Sequence, residues 1–130
     1  MSNEPDDTYE SLIQFLYRAP VGLIQLQSDG AIEMLNPMAS QLLMPLAPDG
    51  DLLDLFRVLL RHAPDLRQLC ADFGAEHGVI CEGKRIALPA ADRRASAPTV
   101  LSLGILKVDS GRLMAVLLDV THEVQREQRT

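Results

Sequence analysis

Val21-Gly22-Leu23-Ile24-Gln25-Leu26-Gln27, then Ser28-Asp29-Gly30, then Ala31-Ile32-Glu33-Met34-Leu35, then Asn36-Pro37-Met38-Ala39: this stretch decides the fold. Two compact apolar-rich runs flank an Asp-Gly step, a strong hairpin signal, so two antiparallel strands open the domain. Asn36-Pro37 then ends the second strand and starts a helix in one move. Asn is a preferred N-cap, and proline at the first helical position lacks only an N–H that has no helical partner there. About two helical turns follow over residues 38–44, closed by Pro45 and the Pro48-Asp49-Gly50 turn.

Upstream, Tyr9, Leu12, Ile13 and Leu16 fall on one helical face. Asp7 and Glu10 make a capping pair at its start, and Arg18-Ala19-Pro20 ends it. Residues 1–7 are polar, acidic and expected to fray. Downstream, Leu52, Leu55, Phe56, Leu59 and Leu60 mark a helix of about three turns over residues 52–62. Asp65 is placed to cap a further helix with Leu66, Leu69, Cys70 and Phe73 inward, and Gly74 to end it in the left-handed conformation. The preference then turns to strand over residues 79–88, 99–108 and 112–120, the last two joined by the tight turn Asp109-Ser110-Gly111. Residues 89–98 lack an apolar period and read as a loop. Thr121, as a hydroxyl N-cap with Glu123 in the first turn, restarts a helix that has no stop signal by Thr130, so the natural chain is expected to continue. The order predicts an α+β domain: a five-stranded antiparallel sheet with helices on one face, an N-terminal amphipathic helix and a C-terminal exit helix.

A chain of 130 residues, 47% apolar, has room for one domain with one core. The longest apolar runs fall far short of the roughly 18 residues of a membrane span, and residues 1–7 lack the basic start of a signal peptide, so a cytoplasmic chain without membrane insertion is expected. A net charge of −6 and the absence of Trp disfavour a nucleic-acid partner, which needs basic side chains and stacking platforms. Cys70 and Cys81 have no CxxC or Cys/His spacing and read as ordinary buried thiols, so no metal site is expected.

The segment Ala19 to Ile24 with Asp29-Gly30-Ala31-Ile32, Asn36-Pro37-Met38-Ala39 and Leu42-Leu43 resembles the opening of PAS domains, and Met114 to Thr121, ending Asp119-Val120-Thr121, is similar to the family's last strand. The two matches bracket residues 19–121. The resemblance implies a PAS core over 19–121, a tail and amphipathic helix over 1–18, and the start of a connector helix over 122–130. It further implies a sensory module without catalysis of its own, placed upstream of a histidine kinase, a diguanylate cyclase with GGDEF and EAL domains, or a chemoreceptor domain. Asp119 and Thr121 match the family's connector junction and are the candidates for signal output. The flavin-reactive Cys of the light-sensing branch has no counterpart, since Cys70 lies in Leu69-Cys70-Ala71-Asp72-Phe73. Haem is disfavoured as well: His62 and His77 lie near the right helices, but a lone His near a helix end is more often a surface charge partner.

The cofactor therefore stays open between a small organic ligand and none. Asn36, Leu55, Phe56, Leu59, Leu69, Ile80, Leu101 and Leu103 are the candidate pocket residues, and the same aliphatic set serves equally as a self-filled core. Asn36, Ser102 and Arg85 could orient a ligand if they point inward. A homodimer is expected, with the N-terminal helix either forming its interface or packing on its own sheet. A dimerisation scaffold that binds nothing is the alternative. An enzyme, using a histidine with Asp65 or Glu76, finds no support in any nucleophile or phosphate-binding motif.

Overall fold

The computed structural model describes Ser11, Gln14, residues 20–88 and residues 99–129. The predicted tail, all four apolar residues of the N-terminal helix, and the 89–98 loop lie outside the described residues. Strands β1 (Gly22–Gln27), β2 (Ile32–Leu35), β3 (Gly78–Leu88), β4 (Thr99–Asp109) and β5 (Arg112–Asp119) form one sheet in the order β2-β1-β5-β4-β3. Every neighbouring pair is antiparallel. Helices α1 (Pro37–Leu43), α2 (Leu55–Val58) and α3 (Leu66–Asp72) fill the crossover from β2 to β3, and α4 (Thr121–Arg129) leaves from β5.

Register explains the core. Ile24 lies opposite Ala115, Ala115 opposite Ile105, and Ile105 opposite Cys81, a row that crosses four strands on one face. A parallel row runs from Gly22 through Leu117 and Leu103 to Lys84. Directly opposed residues share a sheet face, so these rows, with Leu26, Leu113, Ile86 and Leu101, present one apolar surface. Ala39, Leu43, Leu55, Phe56, Val58, Leu59, Ala63 and Leu66 close it from the helical side, all 3% exposed or less. At Gly22 the layers approach closely: a Cβ there would lie 3.0 Å from the Ala39 Cα and 3.2 Å from the Leu117 Cβ.

The first hairpin forms as its sequence predicts, with Gln27 and Ala31 closing the turn and Gly30 at φ +99°. Three expectations are corrected. The helix expected over residues 52–62 is a single α-helical turn, Leu55–Val58, because residues 53–55 are bound elsewhere: the Leu53 carbonyl accepts from the Ile32 N–H at 2.8 Å, and the Leu55 N–H donates to the Gly30 carbonyl at 2.9 Å. Asp54 can only then cap, accepting from Phe56 and Arg57, and Leu60 ends 56% exposed. Asp65 makes no side-chain cap; its carboxylate accepts from the Lys84 ammonium at 3.2 Å instead. Gly74 does not take the left-handed conformation, since Phe73 already leaves the helix in extended geometry, and Gly78, at φ +134°, makes the turn into β3.

Gly30 is doubly constrained, by its positive φ and by the Phe56 ring, which would sit 2.5 Å from an added Cβ. Gly50 has a positive φ of 74° but open space around it. Gly50→Ala should therefore lower stability by about 1 kcal/mol for conformation alone. Gly30→Ala adds a clash with a core ring and should cost about 2–4 kcal/mol. Urea denaturation midpoints of the two variants, with equal slopes, check the difference.

Candidate functional site

The candidate pocket residues divide. Leu55, Leu59, Leu101 and Leu103 are fully buried and Phe56 nearly so, all within the continuous core between sheet and helices. Ile80 packs at its margin, and Leu69 is 36% exposed, off the inward stripe of α3. The three polar candidates do not converge on one space. Asn36 is buried at the β1–α1 joint, where its Oδ1 accepts from the N–H groups of Leu23 and Ala39, both at 2.9 Å, and its Nδ2 donates to the Val21 carbonyl at 2.8 Å. That is a structural clamp: one side chain caps α1 and ties it to β1. Ser102 lies on the outer face of the sheet, opposite Leu118. Arg85 is exposed and turned to α4.

What the fold does bring together is the junction of β5 and α4. The Thr121 hydroxyl donates to Asp119 Oδ1 at 2.6 Å and accepts from the Val100 N–H at 3.0 Å. Asp119 Oδ1 also accepts from the Thr121 N–H, and the Val120 N–H donates to the Val100 carbonyl at 2.8 Å. Both backbone polar groups of Val100 are thus engaged by residues 120 and 121. The hydroxyl expected to cap the helix is turned to the sheet, where it satisfies an N–H at the start of β4 that would otherwise lose its partner. One turn and a half further along α4, Glu127 receives a forked bond from Arg85 of β3, Nη1 to Oε2 at 2.8 Å and Nη2 to Oε1 at 2.9 Å. The exit helix is therefore joined at two levels, to β4 at its root and to the edge strand β3 along its body.

The fork has a defined charge state. The Arg85 guanidinium holds the Glu127 carboxyl below the usual carboxylate range, and the carboxylate in turn raises Arg85. A carboxylate with a lowered pKa contributes above its unfolded value and is lost as pH falls through its folded one, so the fork is complete at neutral pH and opens only in acid. Both side chains are about half exposed, so salt screens the pair. Sequence reading missed this fork because 42 residues separate its partners, and only the side-by-side placement of β3 and α4 unites them.

No family model and no curated protein matches this sequence. Solved structures do. The PAS domain of an HTR-like protein from Haloarcula marismortui aligns with a TM-score of 0.54 at 16% identity, over 88% of this chain and 98% of that one. A domain of a sensory box sensor histidine kinase/response regulator from Geobacter sulfurreducens aligns with a TM-score of 0.55 at 13% identity, over 91% of this chain and all of that one. The fold is that of a PAS domain. At such identities the likeness is one of fold, carried by the path of the chain.

A PAS sheet has a second face, and in this chain it is apolar too. Ser102, Gly104, Leu106, Met114, Val116 and Leu118 line a shallow groove of about 500 Å³ there, with Val79 at its edge. Leu106 and Leu118 remain 41% and 38% exposed. Among the described residues, no helix is long and apolar enough to cross a membrane, and no cluster of metal-ligating side chains occurs.

The junction makes a measurable statement about one hydroxyl. Thr121→Val keeps the shape and removes the acceptor of the part-buried Val100 N–H, so it should cost about 1–3 kcal/mol. Thr121→Ser should restore most of that loss in the same urea denaturation series.

Proposed function

We propose that this chain is a sensory or regulatory PAS module, without catalysis of its own, that passes its state through α4 to an output domain joined C-terminally. The observation that carries this reading is the pinned exit: Asp119 and Thr121 hold the root of α4 to β4, and Arg85 holds its body to β3. A helix fastened in this way must follow the sheet, so a change in sheet twist or strand spacing becomes a change in the helix's direction.

Two further parts of the reading rest on the surfaces. The packed state of Leu55, Phe56, Leu59, Leu101 and Leu103 favours a self-filled core over a resident cofactor, so the input is association or a small organic molecule that opens the core. The exposed apolar outer face of the sheet supports association as a homodimer. The second reading, a dimerisation scaffold that binds nothing, draws on the same two observations and differs in leaving α4 without a message. A cytoplasmic setting fits either, as does a histidine kinase or a diguanylate cyclase as the output domain.

The relay is tested by changing helical phase alone. In a fusion of this chain to a histidine kinase catalytic core, one residue inserted after Thr121 rotates everything downstream by about 100°. Kinase activity across a series of one to about seven insertions should oscillate with a period near 3.5 residues. A flat or steadily declining series would contradict the relay and leave the scaffold.

A further inference from the structure

The chain's two cysteines, distant by sequence spacing, occupy facing surfaces of the fold. On α3, Leu66 and Cys70 stand at i and i+4, on one helical face, and Leu66 is buried in the core at 1% exposure. On β3, Cys81 lies opposite the buried Ile105 and packs against the margin of the core, while its backbone carbonyl, 3.7 Å from where a Cβ of Gly104 would be, borders the outer groove. Helix and strand run past each other with both ends fixed. Asp65, before α3, holds Lys84 at 3.2 Å; Phe73, after it, lies with its ring 3.3 Å from where a Cβ of Gly78 would be and 5.8 Å below the Lys107 ammonium. From Asp65 to Phe73 is about 12 Å of helix, and from Lys84 to Gly78 at most about 20 Å of strand, which the bulges on either side of Cys81 shorten. Cys70 and Cys81 each fall near the middle of these spans. Both are free, half-buried, and packed against the margin of the core.

We propose that Cys70 and Cys81 form a dithiol site that a low-molecular-weight disulfide oxidant converts to a single intramolecular disulfide. The Cys81 Sγ, as thiolate, attacks one sulfur of the oxidant; that S–S bond breaks, a mixed disulfide forms on Cys81, and one small thiol leaves with a proton. Cys70 Sγ then loses its proton, attacks the Cys81 sulfur and expels the second small thiol. Two protein thiols are oxidised to one disulfide, and the oxidant is reduced to two thiols. Burial raises both thiols: at Cys81 a backbone hydrogen bond at Ile105 and the charge of Lys84 offset part of that rise, with Asp65 adding to it, whereas at Cys70 burial and the charge of the neighbouring Cys81 act together and push it up to about 11, so Cys81 leads. The influence of Cys81 on Cys70 is a second sign that the thiols are neighbours. The bond would tie α3 to the edge strand that also carries Arg85, independently of any sensory role.

The test is incubation of the full chain with oxidised glutathione in mildly alkaline buffer, an acid quench, and non-reducing peptide mapping by mass spectrometry. The expected result is a monomer with both free thiols lost, a linked Cys70–Cys81 peptide and no retained glutathione. Cys70→Ser should halt at the mixed disulfide on Cys81. Separate glutathione adducts on both cysteines, links between chains, or thiols that stay unreacted in the folded chain would each overturn the proposal.

Discussion

Everything in this fold hangs on β5 having a strand on each side. The first strand and the fourth both pair with the last, so the sheet is complete only when the C-terminal hairpin has closed against the N-terminal one. That requirement sets where the helices go: the crossover from β2 to β3 must span the full sheet, and it covers one face in doing so. It also sets where the chain leaves. Because β5 is central, α4 starts from the middle of the sheet, beside the first residues of β4 and within reach of β3. Its two ties, to β4 and β3, run to the same side of β5.

The edge strand β3 gathers most of what distinguishes the chain. It carries Cys81 at the margin of the core, with Lys84 reaching Asp65, and Arg85 next to it reaches α4. The kinks that permit this are local: bulges on either side of Cys81, with Gly83 at φ +66° in the second. Bulges at a sheet edge redirect side chains and spoil the edge as a template for pairing. Here they divide one strand into a regular half, Lys84 to Leu88, that builds the core, and an irregular half that meets α3.

Much of this was legible in the sequence, and the reasons are physical. The Asp-Gly hairpin, the Asn-Pro helix start and the Asp109-Ser110-Gly111 turn are local signals whose backbone demands few residues meet, and all appear where expected. Strand limits agree to within about a residue because alternation and β-branched runs are read without tertiary knowledge. The helical crossover was less legible. Residues 52–62 have a helical apolar period, yet the backbone of 53–55 is claimed by the first hairpin, a long-range demand that periodicity does not contain. Leu69 and Leu60 were placed inward on the same incomplete ground. The candidate site was half legible: Asp119 and Thr121 were singled out through a resemblance, Arg85 for a pocket it does not face. Glu127 was not singled out, since nothing in its own neighbourhood marks it.

The central claim is that the root of α4 is part of the sheet. Amide hydrogen exchange of the isolated chain measures this directly, at the N–H groups of Val100 and Val120. If the junction is as described, both exchange through the same global opening as the β4 and β5 amides, with protection comparable to Leu103 and Leu117. Exchange at these two amides as fast as in exposed turns would show an exit helix hinged free of the sheet, and the account of a pinned relay would fail with it.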